Sequence, residues 1–317
     1  MKNFYLFVFS ISFLVCHIAS AQKYSFDNPA DYNNHVVEEQ NAVMRKSIDY
    51  TVQTVHSEDE NKNNAMRLEV IKQIDQSIGE LKNTAPYKND AKLRDESIDV
   101  LTLYKEAFTT EFQEVNSLKK KSQDSFEAMD KYFKAQDKAE NKLSNASKKF
   151  AKAQMDFATK YKLTMEKGSM QDELDVITKV NQYSRALFLE QFKVSKVNAG
   201  FLDALNAQKG GVMGDKRKEL QTVTASSLAN VKALSPYNGD KVYKAATQKL
   251  VEYYKSHADK EYLEMENIMK MAKPTNKDVE RFNSLVTQMN EETTKLVQDF
   301  NKANKEFMRV NIPNPNK

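Results

Sequence analysis

Apolar residues recur along this chain at steps of three and four almost from end to end. Met66, Val70, Ile74, Ile78 and Leu81 form one such stripe, and Leu101, Tyr104, Phe108, Glu111, Val115 and Leu118 form another. That spacing lines up one face of an α-helix and asks for a packed neighbour. The first helix is predicted to start at Asn28-Pro29-Ala30-Asp31, which supplies a cap residue, a first-turn proline and a first-turn acid. It runs to about His56, with Tyr32, Val36, Val43, Ile48, Val52 and Val55 along one side. Ser57-Glu58-Asp59-Glu60 matches a capping box and opens or precedes the second helix. Pro86-Tyr87 then breaks the chain, and Asp90 is placed to cap the third.

A fourth helix over roughly 128–165 uses Met129, Phe133, Leu143, Ala146, Phe150, Phe157 and Tyr161, with Gly168 just past its end. Ser169-Met170-Gln171-Asp172 reads as the start of a helix reaching about residue 207. Gly210-Gly211-Val212-Met213-Gly214 reads as a flexible loop, and two more helices flank Ser235-Pro236-Tyr237. After Lys273-Pro274, Thr275 can cap a final helix of about 276–309. The expected fold is all-α, with about eight long helices.

The stripes also repeat. Ala85-Pro86-Tyr87-Lys88-Asn89-Asp90 and Ser235-Pro236-Tyr237-Asn238-Gly239-Asp240 share Pro, Tyr and Asp at an offset of 150. Ser77/Ser227, Lys82/Lys232, Tyr104/Tyr254, Glu111/Glu261, Phe150/Phe300 and Phe157/Phe307 keep that register. At 151, Tyr32/Tyr183, Glu39/Glu190 and Gln40/Gln191 also match. A fixed period of this size indicates internal duplication. The plan is therefore a tandem copy of a four-helix up-down unit: a leader over 1–21, one unit over 22–167, a second over 168–310, and a loose tail over 311–317. Separate bundles and one continuous array are both compatible with this pattern.

Composition changes the picture in several places. Only 7 Gly and 6 Pro occur, clustered at the breaks, which suits long helices and leaves little room for sheet. Met1-Lys2-Asn3, the apolar run from Phe4 to Cys16 and Ala19-Ser20-Ala21 have the form of a secretory signal peptide cut before Gln22. Val15 precedes Cys16 where a lipidated cysteine normally follows a small residue, so soluble export is favoured over lipidation. Past that leader there is no cysteine, so stability has to come from apolar burial rather than disulfides. Lys and Arg total 48 against 44 Asp and Glu, interspersed; Lys119-Lys120-Lys121 and Lys216-Arg217-Lys218 are short, lack interleaved aromatics and read as solvated helix surface rather than a nucleic-acid footprint. No later stretch is long and apolar enough to cross a bilayer.

Candidate chemistry is sparse. His35, His56 and His257 show no Glu-x-x-His spacing of a carboxylate-bridged metal pair, and His257 with Glu261 and Glu264 reads as a charged helix face, so no metal or cofactor is expected. There is no Gly-x-Ser-x-Gly, and the glycine run lacks the Lys-Ser/Thr of a phosphate loop. Two symmetric pairs, Tyr104/Tyr254 and Glu111/Glu261, occupy seam positions where apolar residues are the norm. They are candidate ligand-binding residues of two equivalent internal polar sites; the alternative is a glutamate tied to a neighbouring lysine and a tyrosine reaching solvent. Met265, Met269 and Met271 read as core filler.

Tyr32-Asn33-Asn34, followed by Val36-Val37 and Glu39-Gln40, resembles the opening of a family of exported all-helical surface proteins of spirochaetes and flavobacteria-like bacteria with no assigned activity. That resemblance implies a periplasmic, outer-surface or secreted location in a Gram-negative bacterium. The functional expectation is a non-enzymatic helical-bundle protein that binds an envelope component, a host molecule or a small ligand. A membrane-active protein that unfurls its helices is the alternative.

Overall fold

The computed structural model describes residues 24–56, 59–165 and 169–312, without the side chains of residues 55, 56 and 169–171. The fold is all-α. The elements are α1 (Pro29–His56), α2 (Glu60–Lys82), α3 (Lys92–Glu106), a π turn (Ala107–Glu111), α4 (Phe112–Lys119), α5 (Phe126–Tyr161), α6 (Ser169–Asn206), α7 (Gly210–Ala233), α8 (Val242–Asp259), α9 (Glu261–Met269) and α10 (Asn276–Asn311). No loop separates α3 from α4, and Lys260 alone lies between α8 and α9, so the described residues make eight rods. Two isolated β-bridges, Tyr24 with Thr84 and Tyr87 with Asp90, are the extended pairings among them.

Local chemistry explains the ends. Asn28 Oδ1 accepts the Ala30 amide at 2.8 Å, and Asp59 Oδ1 accepts that of Lys62 at 3.0 Å. Residues 57 and 58 of the expected capping box lie outside the described residues. Ser125 caps α5, and Thr275 and Asp278 form a reciprocal box at the start of α10. Asp90 Oδ1 accepts the Lys92 amide at 3.1 Å. The end of α5 differs from expectation: the helix stops at Tyr161, where Lys162 takes the left-handed cap position at φ 57°, and Gly168 lies outside the described residues.

The glycine run is a correction. Gly210 to Gly214 form the first turn of α7 rather than a loop. Met213 is fully buried, and a Cβ on Gly214 would stand 2.6 Å from Glu266 Oε1. Burial of Met213 and the close approach of α9 offset the helix cost of glycine, about 1 kcal/mol each. The tail also starts later than expected, because Asn311 is helical and Ile312 is buried in the second core; residues 313–317 lie outside the described residues.

Two apolar cores result. The first gathers Tyr32, Val43, Tyr50, Ile74, Leu101, Tyr104, Phe108, Phe150 and Phe157 from α1 to α5 and the π turn. The second gathers Leu187, Phe201, Tyr243, Val251, Tyr254, Tyr262, Phe300 and Phe307 from α6 to α10. Met44 and Ile48 of α1 belong to the second core while Val43 and Tyr50 belong to the first, and α5 packs on α6. The two sets therefore join in one continuous array.

Matched positions adopt matched geometry. Lys88 and Asn89 have φ 47° and 66°, and Asn238 and Gly239 have φ 47° and 74°. Tyr32 contacts the rings of Tyr87 and Phe157 at 5.7 and 5.4 Å; Tyr183 contacts Tyr237 and Phe307 at 6.1 and 5.1 Å. The third rod of each set departs from α geometry at the same place, as a π turn at Ala107–Glu111 and a break at Lys260. Such departures leave carbonyls short of donors. A buried arginine supplies one each time: Arg67 Nη1 to the Phe108 carbonyl at 2.6 Å, and Arg217 Nη1 to that of Ala258 at 3.3 Å.

Candidate functional site

The four seam residues do not converge. Tyr104 lies in the first core and Tyr254 in the second, both almost fully buried. Burial pushes the Tyr104 hydroxyl up to about 12, and that hydroxyl has no hydrogen-bond partner among the described residues. Glu111 is buried on the π turn and its Oε1 lies 3.0 Å from Lys142 Nζ, which also reaches Glu106 at 3.1 Å. Glu261 is half-buried at the start of α9, with its Oε2 3.9 Å from His257 Nδ1. His257 packs its ring, tilted, on Tyr253 and faces Glu292 at 3.6 Å, while Glu264 is held by Arg281 through two 2.8 Å contacts. Among the described residues, no group of three or more His, Cys, Asp or Glu is placed to hold a metal ion.

A cavity lies elsewhere, where the two sets meet, and none of the four lines it. It is a half-open space of about 520 Å³ between α1, α2, α4, α5, α6 and α10. Its apolar surface comes from Tyr50, Phe112, Phe133 and Phe188, with Phe133 and Phe188 edge to face at 5.7 Å. Its polar surface is dominated by carboxamides, Asn63, Asn116, Gln136, Asn181, Asn301 and Asn304. Helical spacing delivers these groups: Asn181, Ser184, Arg185 and Phe188 share one face of α6, and Asn301, Asn304, Lys305 and Met308 share one face of α10.

Arg185 holds the junction together. Its side chain is almost buried, Nη1 meets Asp137 Oδ1 at 2.6 Å and Glu140 Oε2 at 3.0 Å, and Nη2 meets Glu140 Oε1. Burial opposes the Arg185 charge, but these two carboxylates outweigh it and hold the guanidinium above its usual range. Asn181 Nδ2 also donates to Glu140 at 3.0 Å, and Ser184 Oγ donates to Asn304 Oδ1 at 3.1 Å, tying α6 to α5 and to α10. Burial raises the Tyr132 hydroxyl, against the nearby Arg185 charge.

Positions 150 or 151 apart carry a signal for this site that stripe analysis missed. At offsets of 150 or 151, Thr51, Thr54, Asn63 and Lys119 correspond to Leu202, Leu205, Met213 and Met269. The first four line the cavity, whereas Met213 and Leu205 fill the second core. One further exchange is coupled. Asn64 accepts Nε and Nη2 of Arg67, and its counterpart Gly214 leaves room for Glu266 to take Nε of Arg217 at 2.7 Å. Asn116, the counterpart of Glu266, is thereby free of the arginine and faces the cavity. Polar residues thus stand in the first set where the second set packs apolar ones.

A second, shallower groove of about 310 Å³ runs between α6 and α10, lined by Asn198, Met289, Thr293 and Val297 among others. Among the described residues, no helix is long and apolar enough to cross a membrane. Comparison with protein-family models, with curated proteins and with solved structures finds no match.

Proposed function

We propose that this protein is a non-enzymatic, exported helical-bundle protein whose cavity at the junction of the two sets binds a ligand. The observation that carries this reading is the cavity itself: a space of about 520 Å³ with aromatic walls and converging carboxamides, the composition of a small-molecule site. Its carboxylate, Glu140, is consumed by Arg185 and Asn181, which suits recognition better than proton transfer. A copied ancestral module gives this arrangement a rationale. One set has Leu and Met where the other has Thr, Asn and Lys. The leader-like first residues, and the resemblance at Tyr32 to Gln40, support action outside the cytoplasm.

Asn301 is exposed on α10 at the cavity's edge, so Asn301→Trp fills the space without disturbing either core. Wild-type protein is expected to bind the ring probe 8-anilinonaphthalene-1-sulfonate saturably, one per chain. The variant should bind it at least ~tenfold more weakly at an unchanged thermal midpoint. Equal binding by the two proteins would show that the cavity is not the site.

A further inference from the structure

We infer that the cavity takes a small organic anion with an apolar body, its acid group held by Lys119 of α4 and Lys305 of α10; this rests on the cavity being the binding site. The argument is an inventory of what the lining has left to offer. Glu140 is the lining carboxylate, and both its oxygens already accept from Arg185 and one from Asn181. The Thr51 and Thr54 hydroxyls donate to backbone carbonyls at 2.9 and 2.8 Å. Arg185 is neutralised by Asp137 and Glu140. Two cations remain. Lys119, the last residue of α4, and Lys305 of α10 both line the cavity, and neither has an ion-pair partner among the described residues.

Their surroundings sharpen the assignment. Asn304 accepts Ser184 through Oδ1, so its amide N–H groups remain available next to Lys305. On this inventory the unspent charges are the two lysines, with no free carboxylate, beside carboxamides that offer acceptors at Gln136 and Asn181 as well as donors at Asn304; that charge balance repels a cation and favours an acid. Phe133 and Phe188 offer an apolar surface to the rest of the ligand. Lys119 stands where the second set has Met269, a half-buried side chain against the second core, so a charge occupies a position that packing alone fills with a thioether. The two lysines also come from different sets, and a bound anion would bridge them.

The test compares 2-naphthoate with 2-naphthamide, which share size and ring but differ in charge, by titration calorimetry on the full chain and on the double variant Lys119→Gln/Lys305→Gln. Wild type is expected to bind the acid at least ~tenfold more tightly than the amide, because charge-assisted hydrogen bonds are about twice as strong as neutral ones. The double variant should bind both alike at an unchanged melting midpoint, since both lysines are outside the cores. Amide binding as tight as acid binding, lost in Asn301→Trp, would leave the cavity as the site and overturn the anion assignment. Unchanged preference for the acid in the double variant would overturn it too, placing the acid elsewhere. Failure of both compounds to bind would overturn the inference and the cavity reading together.

Discussion

Gly239 shows how a single position carries the corner between α7 and α8. Its φ is 74° and nothing lies within 4 Å of where a Cβ would stand, so the penalty for a side chain there is backbone strain alone. Gly239→Ala is expected to destabilise by about 1 kcal/mol in urea unfolding. Gly239→Asn should cost less, because Asn tolerates the left-handed region and Asn89 holds φ 66° at the matching corner. Equal costs for the two variants would contradict this account. Both proline-tyrosine corners were legible from Pro, Tyr, Asp and the turn formers between them. The fate of Glu111 was not: spacing placed it on the seam, yet only the packing of α5 decides that Lys142 reaches it. Spacing along one helix says nothing about which side chain a different helix brings opposite.

Among the elements, an ion pair buried between α7 and α9 sits beside the break between α8 and α9, where Arg217 also donates to the Ala258 carbonyl. Glu266 accepts Arg217 at 2.7 Å and also pairs with Lys270. Burial works to raise the Glu266 carboxyl, but Arg217 and Lys270 overcome it and hold the group below the usual carboxylate range. Glu266→Ala leaves the arginine buried and unpaired, and should cost about 3 kcal/mol at neutral pH. The folded-state value is depressed, so this contribution is complete above the unfolded carboxylate pKa and is lost as pH falls through the lower folded one. The stability gap between wild type and variant, from urea unfolding at several pH values, should therefore narrow in acid. A gap independent of pH would contradict the pair's role. The helices themselves were readable because their stripes, caps and prolines are local. The start of α7 was not, because glycine argues locally for a loop, and only the buried Met213 and the approach of α9 reverse that preference.

For the whole molecule, the decisive feature is the junction. Met44 and Ile48 of α1 enter the second core, and Arg185 of α6 is clamped by Asp137 and Glu140 of α5, so neither set is closed without the other. The cavity exists because of that meeting, which explains why helix-by-helix reading missed it. Its residues come from six helices, and the faces they occupy on α6 and α10 are largely polar, so no apolar stripe marks them. What the chain did carry was a set of differences between matched positions, Thr51 against Leu202 or Lys119 against Met269, visible only when the two registers are compared. The most direct measurement is an experimental structure of the protein with 2-naphthoate. The account predicts the naphthalene ring against Phe133 and Phe188 with its carboxylate between Lys119 and Lys305. An empty cavity with the compound bound elsewhere on the chain would contradict it.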